Sequence, residues 1–206
     1  MAQVQLSKSS LTREKENLAL YQRYLPALDL KRQQLMGERQ RARREIERLG
    51  LEVARVIEAA GEAIPMMADR RVSLDGLVRL GEVRLGTQNV AGVKLPTVEH
   101  VELIRSAYGR LVRPHWVDHV ADRLAAAMRL RVEVEVAEKR LAGLERAVAR
   151  ITQRVNLFDK VLIPQTRTNI RRINVYLGDA ERAAVAGAKI AKRKREAEAA
   201  RPEAGA

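Results

Sequence analysis

The chain has 206 residues, a formal net charge of +13 and no cysteine. Hydrophobic residues make up 46% of it and aromatic residues only 3%, so few large rings are available to fill a thick globular core. Charged residues account for 32%, and with abundant Leu, Val, Ile and Ala this composition is typical of long helices or coiled coils. The composition argues against a compact all-β or α/β enzyme. The missing cysteine excludes disulfides and thiol catalysis.

Charge and hydropathy limit the cellular compartment and the class of partner that we expect. The sequence contains no run of about 18 apolar residues, so we expect no membrane-spanning segment. Its first ten residues lack the apolar stretch of a signal peptide. We therefore expect a cytoplasmic protein. Its excess of Lys and Arg suits an anionic partner such as nucleic acid, an acidic protein surface or lipid head groups.

Residues 1–65 are predicted to form the N-terminal helix of a coiled coil. Apolar residues recur in two series with a seven-residue repeat, and the second series follows the first by three residues, as a and d positions do. Ser9, Ser10 and Thr12 are candidate N-caps, and Pro65 marks the expected end. The seam residues predicted on this helix are Leu11, Leu18, Leu25, Leu28, Leu35, Ile46 and Leu49.

Residues 114–195 repeat the pattern and are predicted to form the C-terminal helix, with a disordered tail at 196–206. The stripe shifts phase after Pro164, which should bend the helix locally. Because neither stripe can stay exposed, we expect the two helices to pair as a long antiparallel two-helix coiled coil, a helical hairpin. The seam residues predicted on this helix are Val134, Leu141, Leu144, Val148, Ile151, Val155, Phe158 and Leu162.

Residues 66–113, between the two helices, change character. Glycines interrupt short apolar runs, and Val83–Leu85 and Val90–Leu95 have the β-branched, turn-bounded composition of short strands. The stretch is therefore predicted to be a small middle knob that contains a short β-hairpin. The predicted fold class is all-α dominated.

No motif predicts a nucleotide, metal or catalytic site. Gly81 and Gly86 have the glycine spacing of a phosphate-binding loop, but the Lys that would meet the phosphates is missing, so a hairpin turn is the better interpretation. His115 and His119 lie four residues apart, but Trp116 stands where a zinc protease has its Glu, which favours solvated histidines. Paired carboxylates such as those of residues 133–135 point to opposite helix faces, unlike a glycosidase pair.

Two basic clusters, residues 39–44 and 192–195, permit several interpretations. Nucleic-acid binding is expected to place aromatic residues among the cations, and none lies near either cluster. Glutamates also interleave with the first cluster. A solvated helix face is favoured over contact with an acidic protein surface, and both are favoured over nucleic acid.

Residues 152–165 read Thr-Gln-Arg-Val-Asn-Leu-Phe-Asp-Lys-Val-Leu-Ile-Pro-Gln, and Asn169–Ile173 with Leu177 follow them. This run resembles the signature stretch of the D subunit of the V-type/A-type ATP synthases, R-V-N-x-[LF]-[ED]-x-V-x-I-P followed by I-x-x-I. Leu28–Leu35 and Asn89–Pro96 are similar to two further segments of that family. The three matches occur in the family's order and span nearly the whole chain.

The resemblance implies a central-stalk rotor subunit of an ion-translocating ATPase or ATP synthase, without an active site, nucleotide or cofactor of its own. Its coiled coil would enter the ring of catalytic A and B subunits. The middle region would lie near the small F subunit of the stalk, and the foot would dock on the funnel-shaped subunit above the membrane ring. The protein would be cytoplasmic and peripheral to the membrane, with no nucleic-acid partner and no direct membrane span.

Candidate partner contacts are polar residues of the signature stretch and of the segment after it. The Gly178 and Gly187 positions depart from the dense Arg and Glu of the family and should soften the helix there. The alternative to a rotor is a basic coiled-coil scaffold or a nucleic-acid-associated protein. The candidate contacts are Arg154, Asn156, Lys160, Arg167, Arg171 and Arg172.

Overall fold

The computed structural model describes residues 5–68, 71–107 and 113–199, and this part of the chain is mostly helical. Contacts divide the chain into two units, Met1–Asp29 with Gln153–Ala206 and Leu30–Thr152, and each is described by itself below. The elements in chain order are α1 (Lys8–Ala63), a 3-10 turn (Pro65–Ala68), β1 (Val78–Val90), β2 (Val93–Arg105), α2 (Trp116–Leu157), a π turn (Phe158–Leu162) and α3 (Ile163–Ala199).

α1 covers Lys8–Ala63 of the segment 1–65 that was predicted as the N-terminal helix, and residues 1–4 of that segment lie outside the described residues. α3 continues to Ala199, into the segment 196–206 that was expected to be disordered, because alternating Ala and Glu favour helix. Residues 200–206 of that segment lie outside the described residues, as do 69–70 and 108–112 of the middle region.

The start of α1 is capped by Ser7. Its Oγ accepts a hydrogen bond from the backbone N–H of Ser10 at 3.2 Å, which satisfies one of the free donors of the first turn. The prediction that Ser9, Ser10 or Thr12 caps the helix is therefore wrong. Thr12 lies inside the first turns, where its Oγ1 donates to the carbonyl oxygen of Lys8 at 3.2 Å.

In the first unit, α1 packs antiparallel to the C-terminal helices. The rings of Tyr21 and Phe158 meet edge to face with their centroids 5.4 Å apart. Leu6, which precedes α1, borders a surface depression together with Val175 and Tyr176. Leu6, which precedes Tyr21, thus lies near residues that follow Phe158, as antiparallel packing requires. The buried residues of this unit are Ser10, Val155, Ile163, Thr166 and Ile173.

A π turn separates α2 from α3. The backbone N–H of Ile163 donates to the carbonyl oxygen of Phe158, five residues back, instead of four as in an α-helix. Pro164 follows at once and has no N–H, so α-helical bonding would be interrupted here in any case. The buried positions Val155 and Ile163 are eight residues apart instead of seven. The distortion and phase shift predicted near Pro164 therefore take the form of one inserted residue.

The second unit contains two apolar clusters, which we call the seam and the base. In the seam, Leu49 of α1 packs against Val134 and Ala137 of α2. Arg43 pairs with Glu145 at 2.8 Å, so the two helices also run antiparallel here. At the base, the start of α2 packs under the first residues of β1. The buried residues of the base are Ile64, Leu77, Val78, Trp116, Val117, Val120 and Ala121.

The middle region forms a two-stranded antiparallel hairpin of β1 and β2, each 13 residues long. Ala91 and Gly92 form the turn, with φ of 49° and 80°. The hairpin was expected, but Val90–Leu95 contains the turn instead of forming one strand. Gly81 and Gly86 lie inside β1 and not in a turn. A Cβ at Gly81 would come within 2.9 Å of Glu102 Oε2, so glycine leaves room for a side chain from β2.

The turn predicts a stabilising substitution. Ala91 has positive φ, which costs an L-residue with a Cβ about 1 kcal/mol, whereas Asn-Gly suits such a hairpin turn. Ala91→Asn should therefore raise the free energy of unfolding by roughly 0.5–1 kcal/mol. Ala54→Asn, on the exposed face of α1, is the matched control and should lower it by about 0.5 kcal/mol. Urea unfolding measures both, and a loss of stability in Ala91→Asn would contradict the strain at the turn.

Candidate partner-binding surfaces

The residues predicted to form the seam are all buried or half-buried. The fully buried ones include Leu35 in α1 and Leu144 in α2, and Phe158 is half-buried against Tyr21. Leu162, the last of the predicted set, is half-buried, because the π turn gives the buried position to Ile163. These buried and half-buried side chains form the apolar stripes of the helices.

The six predicted partner contacts are all exposed. Arg154, Asn156 and Lys160 belong to the end of α2 and the π turn, whereas Arg167 lies in the first turns of α3. The remaining two, Arg171 and Arg172, border the surface depression described above. None of the six contributes to a buried cluster, so each is accessible to another molecule.

The C-terminal part of α3 is exposed throughout. Every residue from 179 to 197 is exposed, including the apolar Val185 and Ile190. Lys192 lies 3.8 Å from Glu196, one turn further on, and Arg193–Arg195 add three more cations. Gly187 has no described atom within 4 Å of the place where a Cβ would lie. Among the described residues, no other segment covers this part of the helix.

Two arginines of the first basic cluster form ion pairs within the chain. Arg41 lies 2.6 Å from Glu38, and Arg43 lies 2.8 Å from Glu145 on α2. Just beyond the cluster, hydrogen bonds from Arg48 hold the pKa of Glu45 below its ordinary value, so the pair stays charged at neutral pH. This solvated face of α1 therefore carries positive and negative side chains that pair with each other.

The hairpin packs against α2 at a glycine, a contact that the sequence analysis did not predict. Leu95 of β2 is buried over Gly143, where a Cβ would lie only 2.9 Å from its Cδ2. One turn earlier, the guanidinium of Arg140 donates to the carbonyl oxygen of Pro96 at 3.1 Å and to Gln88 Oε1 at 3.0 Å. Gly143 stands out among the seam residues of α2, which was the only sign of this contact in the sequence. That Leu95 packs against it became known only from the structure.

The base carries an apolar cavity of about 430 Å³. Ala60 of α1, Met67 of the 3-10 turn and Leu124 of α2 contribute to its wall. Ile57, which also borders it, and Met66 nearby are exposed. The base thus presents an apolar surface beside its packed core.

The two histidines considered as metal ligands lie at the surface. His115 and His119 are exposed at the start of α2, and the described residues contain no group of three or more His, Cys, Asp or Glu arranged to hold a metal ion. Within the same residues, no helix is long and apolar enough to cross a membrane.

Comparison with known proteins gives one consistent result. The family model of the ATP synthase D subunit matches residues 10–193. The V-type ATP synthase D subunit of Borreliella burgdorferi is 33% identical over 192 residues, covering 93% of this chain and 95% of that protein. The proteins of the same name from Chlamydia pneumoniae and Chlamydia muridarum are each 33% identical, over 204 and 198 residues. These alignments cover 97% and 94% of this chain, and 96% of each relative.

Proposed function

Because this chain belongs to the family of ATP synthase D subunits, we propose that it is the central-stalk shaft of a V/A-type ATP synthase. In this role it transmits torque between the A/B hexamer, where ATP is turned over, and the membrane ring that moves ions. It has no active site of its own and works on the cytoplasmic side of the membrane. The observation that carries the proposal is the family match over residues 10–193, which includes both seam helices.

The packing within each unit suits the transmission of torque. Branched aliphatic side chains such as Ile151 and Val155 are buried along the contact between helices. Bending or twisting such a pair would disturb close-packed side chains at every turn, so the pair resists deformation. A torque-bearing element needs this stiffness and does not need a pocket.

The A and B subunits are the proposed partners of the exposed helical surface. Arg154, Asn156 and Lys160 offer polar contacts near the π turn, and Arg167, Arg171 and Arg172 offer cations on α3. Exposed ion pairs are weak and exchangeable. Cations that meet acidic loops of the hexamer in this way would guide rotation without locking it.

The base and the hairpin are the proposed sites for the other partners. The apolar cavity beside Ile57 and Met67 suits an apolar insertion from the funnel-shaped subunit above the membrane ring. The exposed outer surface of β1 and β2 is the proposed neighbour of the small F subunit of the stalk.

Three arginines in and beside the first basic cluster are paired with carboxylates and so do not favour nucleic acid. Arg41, Arg43 and Arg48 each lie within 2.8 Å of a carboxylate oxygen, so their charge is largely compensated within the chain. Non-specific nucleic-acid binding depends on uncompensated cations that replace counterions. The scaffold alternative predicts salt-dependent retention on DNA, and the shaft proposal predicts none at physiological ionic strength.

Neutralising the cations of α3 tests the proposed contact with the hexamer. The triple variant Arg167→Gln, Arg171→Gln, Arg172→Gln should bind the A/B hexamer about 10-fold more weakly, because each lost exposed pair contributes up to about 1 kcal/mol. The control triple Arg55→Gln, Arg129→Gln, Arg131→Gln removes the same charge from exposed positions elsewhere. Affinity is measured by titrating labelled chain into purified hexamer at two salt concentrations. Equal affinities of the two triple variants would show that these cations of α3 do not contact the hexamer.

A further inference from the structure

The hairpin has two outer edges, and its turn determines which backbone groups point out of each. Ala91 and Gly92 both have positive φ, as in a two-residue type I′ turn, so the flanking Val90 and Val93 exchange backbone hydrogen bonds. In an antiparallel pair of strands, such bonded pairs alternate with pairs whose N–H and C=O groups point outward. The outward pairs up to the first irregularity are therefore Asn89 with Lys94, Thr87 with Pro96 and Leu85 with Val98.

Pro96 agrees with this register in two ways. Proline has no N–H, so Pro96 is unable to exchange hydrogen bonds with Thr87 and fits an outward pair. Its carbonyl oxygen accepts a hydrogen bond from the guanidinium of Arg140 on α2 at 3.1 Å, as a carbonyl that points away from β1 can. The register therefore rests on the turn and on the contacts of β2.

The outer edge of β2 is protected against pairing with another chain. Lys94 and Pro96 occupy two of its outward positions, and both residue types are typical of protected edge strands. Arg140 occupies the one hydrogen-bonding group that Pro96 offers. Leu95, between these two residues, is buried over Gly143 of α2.

The outer edge of β1 has none of these protections. Residues 85–90 contain no charged residue and no proline, and their pairing with β2 is regular. Leu85, Thr87 and Asn89 are exposed. Within the residues that the structure describes, no group bonds to the outward N–H and C=O of these three residues. Since proteins usually protect an edge strand of this kind, an unprotected one indicates a site for pairing.

We propose that β1 pairs at this edge with an extended segment of another protein of the complex, which adds a third strand to the hairpin. We call the outward backbone groups of Leu85, Thr87 and Asn89 the β1 edge. Three N–H and three C=O groups spaced along the β1 edge match those of an extended chain, and main-chain hydrogen bonds give such strand addition its affinity.

Charge near the turn narrows the choice of segment. Lys94 is exposed beside the turn, and Lys31 of α1 places its Nζ 3.2 Å from the point where a Cβ of Gly92 would lie. Neither lysine forms an ion pair with another residue in the described part of the chain. The segment should therefore be uncharged along the β1 edge and carry Asp or Glu where it passes the turn.

The inference deepens the proposed placement of the small F subunit beside the hairpin, and it rests on the proposed function for the identity of that subunit. It assigns to the F subunit an extended segment bonded to the backbone of β1, instead of side chains packed on the outer face of the hairpin. A second copy of this chain is a poorer partner, because two chains of net charge +13 repel each other.

Hydrogen exchange tests the pairing by comparing the free chain with the complete complex purified from cells. Mass spectrometry with electron-transfer fragmentation resolves single amides. In the complex, exchange at Leu85, Thr87 and Asn89 should slow roughly 10-fold or more, because these amides then donate to the added strand. The outward amide of Lys94 should stay fast. Unchanged exchange at the β1 edge, or equal slowing at Lys94, would overturn the proposal.

Substitution at Thr87 separates backbone from side-chain contacts. Thr87→Pro removes one outward N–H and leaves every bond to β2 in place, as Pro96 does on the other strand. It should weaken binding of the purified F subunit to the full chain roughly 10-fold or more, whereas Thr87→Val, which keeps the N–H, should change it less than about 2-fold. Both variants should keep the thermal midpoint of the free chain. Equal affinities of the two variants would overturn the proposal.

A photo-crosslinker identifies the segment and separates the pairing from the proposed function. p-Benzoylphenylalanine in place of Leu85, which is 47% exposed, should crosslink in the complete complex to an extended segment of the F subunit. A crosslink to a helix or to a second copy would overturn the proposal. Slowed exchange at the β1 edge in a complex whose chain does not rotate with ATP would refute the shaft function and leave the pairing intact.

Discussion

Deleting Asp159 together with Pro164→Ala should give a chain at least as stable as the natural one. The deletion reduces the spacing of the buried Val155 and Ile163 from eight residues to seven, so one uninterrupted α-helix keeps both in the seam. Replacing the proline removes the ring clash and restores a backbone donor, a change worth up to about 3 kcal/mol inside a helix. Urea unfolding and hydrogen exchange across the former π turn measure the result.

The matched control moves the same deletion upstream. Deleting Ala149 in the Pro164→Ala background gives the same chain length but removes a residue from a regular heptad. Ile151, Val155 and Phe158 then leave the seam while Thr152, Asn156 and Asp159 enter it. The two branched side chains alone predict a loss of roughly 3–6 kcal/mol. Equal stability of the two deletions would show that the π turn is not the place where the extra residue is accommodated.

Gly143→Leu should cost about 2–3 kcal/mol by pushing the hairpin from its seat. Even a Cβ at this position would come within 2.9 Å of Leu95 Cδ2, and a full side chain must displace the buried Leu95. The hydrogen bonds from Arg140 to β1 and β2 would be lost with the displacement. Unfolding by urea, with hydrogen exchange of the β2 amides, reports both effects.

Gly37→Leu is the control for helix propensity. Gly37 lies inside α1 with no described atom within 4 Å of its missing Cβ, so Leu should stabilise the helix by roughly 1 kcal/mol. The two substitutions thus have opposite expected signs although their chemistry is identical. A gain of stability in Gly143→Leu would contradict the close packing of the hairpin on α2.

Heptad counting predicted the two long helical segments because an apolar stripe can be buried in few ways. Leu49, for example, meets Val134 and Ala137 as an antiparallel pair requires. The phase shift near Pro164 was also readable from the sequence. Its form was not, because an extra residue can be absorbed by a π turn or by a local change of supercoil, and packing decides between them.

The hairpin was harder to predict because its glycines were ambiguous. Gly81 and Gly86 are typical of turns, yet in β1 they make room for the side chains of Glu102 and Glu99. That role depends on strand register, which becomes known only when β2 is paired. The exposure of Leu20 and Leu157 could not be predicted for a different reason. These residues lie outside positions a and d, and only the structure shows that nothing in the described chain covers them.

The most direct test of the shaft function is to watch the chain turn. The sequence has no cysteine, so Glu58→Cys at an exposed position of α1 provides a single attachment point for a bead. The A/B hexamer is fixed to a surface, the labelled chain is bound within it, and ATP is added. We predict unidirectional, ATP-dependent rotation of the bead. A hexamer that hydrolyses ATP with the chain bound while the bead shows no directed rotation would contradict the account.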